Sequence, residues 1–124
     1  MAVGNATRTT GRLSTNAITP AQFERRAQVV KALAHPTRLF IVDQLADGER
    51  CVCELRDMVG ADVSTVSKHL SVLKQAGIVA DDKRGLQVFY RLQVPCIQNL
   101  FACVETVLRQ NAAAQQTVVG NGTQ

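Results

Sequence analysis

The sequence predicts a mainly α fold of the α+β kind: a winged helix-turn-helix with about five helices and a two-stranded wing. Three observations predict it. Apolar residues recur at helical spacing through most of residues 19–110. Within residues 54–76, two helical stretches are joined by a short turn that contains Gly60. Directly after them, "IVADDKRGLQVFYRL" switches to strict alternation around a charged turn, the signature of a hairpin.

Each element has a local cause. Thr19-Pro20 opens the first helix, with Thr19 as N-cap, Pro20 at the first helical position and Gln22 in the capping-box place. Phe23, Ala27, Val30 and Ala34 then repeat at helical spacing. His35-Pro36 interrupts, because the residue before a proline is pushed out of the α region. The second helix occupies "PTRLFIVDQLADG", with Leu39, Val42 and Leu45 on one stripe and Gly48 as its stop. After "ERCVC" comes a short helix, "ELRDMVG", for which Cys53 stands in the capping position.

The fourth helix, "ADVSTVSKHLSVLKQAG", takes Asp62 as N-cap and Gly77 as stop, and turns Val63, Val66, Leu70 and Leu73 inward. In the hairpin, "DDKRG" is the turn. Leu86, Val88, Tyr90 and Leu92 face one way and Gln87, Phe89 and Arg91 the other. The last helix, "PCIQNLFACVETVLRQ", carries Ile97, Leu100, Phe101, Val104 and Leu108.

The chain of 124 residues is one domain's worth, small enough for dimerisation to add needed stability. Residues 1–18 and 111–124 are too polar or too small to offset the entropy of ordering them. The expected division is therefore a disordered arm at 1–18, a DNA-binding and dimerisation domain at 19–110, and a disordered tail at 111–124. Residues 1–18 lack an apolar signal region, and no run of 18 apolar residues exists, so the expected setting is the cytoplasm, with no membrane partner. The sequence shows no Ser/His/Asp set, carboxylate pair or phosphate loop, so an enzyme is not expected.

The fourth helix suits DNA. With its apolar stripe turned inward, Ser64, Thr65, Ser67, Lys68 and Ser71 face out, with His69 on the same helix. Hydroxyls serve base edges or phosphates, and a helix N-terminus favours phosphate. Lys83 and Arg84, at the tip of the hairpin, are placed for the DNA backbone or a minor groove. A net charge of +4 agrees with such a partner. A solvated helix face is the bland alternative, which the serines, threonine and basic wing argue against.

Taken together, "ALAHPTRLFIVDQLADGE", "CVCEL", "STVSKHLSVLKQAGIV" and "VFYRL" resemble the ArsR/SmtB family of metal-responsive winged-helix repressors over about residues 22–108. The resemblance implies a homodimer that binds operator DNA and releases it when a metal or metalloid binds. It implies dimerisation through the first and last helices. A two-fold dimer would read an inverted repeat with recognition helices about 34 Å apart.

Cysteines 51 and 53 are the sensing candidates. In an extended segment, residues two apart point to the same side. A thiol at a helix N-terminus also ionises more readily. Such a pair suits a soft cation or metalloid. "Cys51-Val52-Cys53-Glu54-Leu55" resembles the motif of arsenite- and cadmium/lead-sensing members, which implies arsenite as inducer, with antimonite, cadmium or lead as further possibilities.

Two departures stand out. Arg56 occupies the place where the arsenite pattern has a third cysteine, and residues 1–18 lack the cysteines of the cadmium/lead pattern. The remaining thiols, Cys96 and Cys103, fall on the last helix, about 10.5 Å apart along its axis, too far to share one ion within a subunit. Either is a candidate third ligand, from the same subunit or the other, or else an interface residue. A zinc or nickel site on that helix is disfavoured, because it lacks histidine and has Glu105 as its one acid. A cysteine redox switch on the same DNA-binding module is the first rival reading, and a helical protein-interaction domain the second.

Overall fold

A computed structural model describes residues 17–118 of the chain. Its elements run α1 (Pro20–Leu33), α2 (Pro36–Leu45), β1 (Arg50–Cys51), α3 (Val52–Val59), α4 (Val63–Gln75), β2 (Val79–Arg84), β3 (Gln87–Leu92) and α5 (Ile97–Val118). The winged helix-turn-helix expected from the sequence is what the chain forms.

The helix starts are set by side chains that satisfy otherwise orphaned N–H groups. Thr19 and Gln22 form the reciprocal capping box at α1. At α2 the His35 ring accepts from the Thr37 N–H at 3.0 Å, and at α4 the Asp62 carboxylate accepts from the Thr65 N–H at 2.8 Å. Gly60 ends α3 in the left-handed region at φ 78°, which lets the chain reverse into α4.

The core is one cluster. Ile41, Val42 and Leu45 of α2, Leu55 of α3, and Val66, Leu70 and Leu73 of α4 meet Ile78 and Val79 at the start of the wing, closed by Ala32 and Leu33 of α1. Leu39 and Val63, expected to face inward, stand outside it at 41% and 44% exposure. Both lie near the start of their helices, where the buried stripe has rotated away. Phe23, Val30, Leu100, Val104 and Leu108 are also exposed in the single chain.

The wing differs from expectation in three ways. It has a third strand, β1, whose residues Arg50 and Cys51 pair with Tyr90 and Phe89 of β3, giving the order β1-β3-β2. A two-residue strand is too short to show alternation in a sequence. The turn is narrower, because Asp81, Asp82, Lys83 and Arg84 are rungs of β2 paired with Tyr90, Phe89, Val88 and Gln87. Gly85, at φ 63°, and Leu86 alone make the reversal, which leaves Leu86 fully exposed at the tip rather than on a strand face.

The last helix also outruns its predicted end at residue 110 and continues to Val118. Alanine and glutamine, which fill residues 112–116, extend a helix once it is started. The expected disorder of residues 1–16 and 119–124 lies outside the described residues.

Candidate nucleic-acid interface and cysteine site

The exposed side of α4 presents Ser64, Thr65, Lys68 and Ser71, with Ser67 half-buried. Its N-terminus already holds an anion. Asp62 accepts from the Thr65 backbone and from the Ser64 hydroxyl at 3.1 Å. These bonds, the Thr65 backbone first, hold its carboxyl below the usual range, with Lys68 adding to the effect. A phosphate arriving at this terminus therefore meets Asp62, and Lys68 is the cation that offsets it.

His69 turns away from the exposed face. Its Nδ1 accepts from the Arg38 Nε at 3.2 Å, and its ring lies 4.4 Å from that of His35. Arg38 also donates to the Ala32 carbonyl at 3.1 Å. Burial, then the charges of His35 and Arg38, push the His69 pKa down. The residue ties α4 to the start of α2.

At the wing, Lys83 is exposed and has no ion-pair partner among the described residues. Arg84 is engaged. It donates to both Glu49 oxygens, to Asp82 Oδ2 at 2.9 Å, and lies 4.6 Å over the Phe89 ring. Hydrogen bonds to Glu49 first, then Asp82, raise its pKa further. No sequence signal marked the Glu49 contact, since 35 positions separate the two residues.

Cys51 and Cys53 are brought together and joined through their sulfurs, with Cα atoms 5.4 Å apart. The capping position of α3 belongs to Cys51, not to Cys53 as expected. The Cys51 sulfur accepts from the Glu54 N–H at 3.4 Å, and Glu54 Oε1 accepts in return from the Cys51 N–H at 2.9 Å. Glu54 in the third helical position completes this box, which moves the helix start back onto Val52. Cys51 is therefore at once the cap of α3 and a rung of the wing sheet. Any displacement of its sulfur acts on both.

The pair opens on a cavity of about 320 Å³ between α4 and the wing, lined by Val63, Ser67, Leu86 and Val88 among others, with Arg56 at its side. The other thiols are elsewhere. Cys96 sits in the Pro95-Cys96 turn before α5 rather than on a regular helix, and Cys103 lies within α5; both are exposed. Among the described residues of one chain, no three His, Cys, Asp or Glu side chains gather as a metal cluster. No described helix is long and apolar enough to cross a membrane.

Comparison with known proteins bears on the same region. A profile described as "Bacterial regulatory protein, arsR family" matches residues 35–81, from the cap of α2 through α4 into the wing. An uncharacterized HTH-type transcriptional regulator of Methanocaldococcus jannaschii, MJ1325, is 36% identical over 85 residues, covering 68% of this chain and 96% of that protein. The HTH-type transcriptional repressor SmtB of Mycobacterium tuberculosis is 45% identical over 65 residues, 52% of this chain and 48% of that repressor. A solution structure of the homodimeric winged helix-turn-helix DNA-binding domain Mb0332 from Mycobacterium bovis, a possible ArsR-family regulator, superposes with a TM-score of 0.64. It is 32% identical and covers 85% of this chain and 92% of that domain.

Proposed function

This chain belongs to the arsR family of bacterial regulatory proteins, and on that premise we propose that it is a homodimeric transcriptional repressor released from operator DNA when arsenite binds Cys51 and Cys53. The observation that carries the reading is the double role of Cys51, which caps α3 and pairs with Phe89 of the wing. Drawing two thiolates onto one arsenic pulls on the first helix of the reading motif and on the wing together. The cavity beside the sulfurs is lined by Ser67 of α4, so bound inducer also sits against the DNA-facing helix.

Dimerisation fits the apolar surface left uncovered. A groove of about 750 Å³ runs between α1, α2 and α5, lined by Val30, Leu39, Phe40, Leu100, Val104 and Leu108. A patch of this kind on a single chain marks an interaction site. In the dimer each protomer presents Ser64, Thr65, Ser67, Lys68 and Ser71, with Lys83 and Arg84 of the wing, to an inverted repeat. A third sulfur for arsenite comes from Cys96 or Cys103 of either subunit, or from a small thiol. Antimonite follows the same chemistry, and cadmium and lead are the softer-cation alternatives.

X-ray absorption on the arsenite-loaded dimer tests the site: an arsenic–sulfur shell is expected in the native chain and its loss in Cys53→Ser. A second reading, a thiol redox switch, is favoured by the bond between the two sulfurs. Mass spectrometry after mild peroxide, set against arsenite titration, separates the two.

A further inference from the structure

Away from the cysteines, α4 closes a cleft of about 370 Å³ against α1 and α2. Its polar lining is Gln28 and Lys31 of α1, Arg38 of α2 and Gln75 of α4. Two cations and two amides face one space, and no carboxylate lines it. Lys31 and Arg38 form no ion pair among the described residues. Like charges gathered without a counter-charge repel, and an anion between them turns that repulsion into attraction. Arg38 is also fixed in place. Its Nε donates to His69 at 3.2 Å and its Nη1 to the Ala32 carbonyl at 3.1 Å, which leaves Nη2 without a protein partner among the described residues. A guanidinium already oriented loses little further freedom on gripping an oxyanion.

We propose that this cleft binds a phosphate group, gripped by Arg38 and Lys31 and hydrogen-bonded by the Gln28 and Gln75 amides. The cysteine pair takes no part in it. Arginine meets phosphate oxygens with paired N–H groups, and lysine adds a point charge on a flexible stem. Two sources share this chemistry. One is a small phosphate compound, its organic part set against Val72 and Ala76, for which the volume is in the lower range of ligand sites. The other is the operator backbone; on the proposed dimer α1 lies beside the partner, so the backbone concerned runs between the two half-sites. In both cases the phosphate touches Arg38, whose Nε holds His69 of the reading helix. Burial, then the charges of His35 and Arg38, lower the His69 pKa. An anion on Arg38 offsets the last of these, so occupancy of the cleft should raise that pKa.

The full-length protein in chloride buffer is titrated with sodium phosphate at constant ionic strength and followed by NMR. The Gln28 and Gln75 side-chain amides and the Lys31 backbone should shift together and saturate, with the His69 pKa rising. Lys31→Gln and Gln75→Glu, both at exposed positions, should each weaken phosphate by roughly tenfold or more, with spectra otherwise native. Operator titrations across salt separate the two sources. If the backbone fills the cleft, Lys31→Gln flattens the slope of log affinity against log salt by about two units, one per protomer. If a small phosphate compound fills it, that slope is unchanged while inorganic phosphate still binds. Phosphate that leaves these resonances unmoved, together with an unchanged operator slope, overturns the proposal. Phosphate binding that both variants leave intact overturns it as well.

Discussion

Arg84 grips Glu49 with both arms of its guanidinium, Nη1 to Oε1 at 2.8 Å and Nη2 to Oε2 at 2.7 Å, and so fastens the wing to the residue preceding strand β1. The contact joins the cysteine strand to the cation placed for DNA. Arg84 holds Glu49 and Asp82 on the free protein, and on the proposed reading it exchanges them for phosphate on the complex. Glu49→Gln weakens the hold on the free protein. Operator affinity at low salt should rise, whereas Arg84→Ala should flatten the slope of log affinity against log salt by about two units, one per protomer. An unchanged slope in anisotropy titrations would show that Arg84 stays on the wing when DNA binds.

Lys68 is an exposed cation of α4 and, unlike Lys74, which pairs with Asp81, has no ion-pair partner among the described residues. Lys68→Ala should weaken binding to all DNA sequences alike and flatten the salt slope by about two units, one per protomer. A loss confined to one operator sequence would move Lys68 from phosphate to base.

The His35–His69 contact makes stability depend on pH. The His69 Nδ1 accepts a hydrogen bond from Arg38, so that ring is neutral there. The folded pKa of His69 lies below its ordinary 6.5, so the unfolded chain binds the proton more readily. Its contribution is therefore present in full above about pH 6.5 and is lost as pH falls through the lowered value. Thermal unfolding should show a falling midpoint from pH 7 to 5, and His69→Gln should flatten that slope.

Much of the fold was legible because its signals are local. Thr19, Pro20 and Gln22 spell a helix start within four positions, and Asp62 and Gly60 mark the turn between the two helices of the motif. What the sequence did not show depends on partners far along the chain. Strand β1 exists because Tyr90 and Phe89 stand beside Arg50 and Cys51. Glu49 meets Arg84, and His69 meets Arg38, across 35 and 31 positions.

The cysteine site was legible as a pair, but the cap went to Cys51 because Glu54 reaches back to it. A periodic stripe says which residues share a face, not how far it rotates at the helix start, so Val63 and Leu39 were placed inward. The chamber beside the cysteines joins α4 to the wing, and no sequence spacing reports that closure.

The apolar groove along α1, α2 and α5 gives a direct test of assembly. Val104→Asp places a charge on a half-exposed position of that groove and should leave the monomer folded. Sedimentation should then give the single-chain mass of 13.4 kDa instead of twice that value. Operator affinity should fall with it, since one reading head cannot span an inverted repeat. A variant that stays dimeric would place the interface on another surface.

The central claim is that a thiophilic ion at Cys51 and Cys53 makes the dimer release its operator, and the ratio of operator Kd with and without arsenite measures it most directly. With reduced native dimer the account predicts a ratio of about 150, equivalent to a coupling of ~3 kcal/mol. In Cys51→Ser and Cys53→Ser the ratio should fall to about one, with operator affinity in the absence of arsenite retained. A native dimer that holds its operator equally well at saturating arsenite would contradict the account.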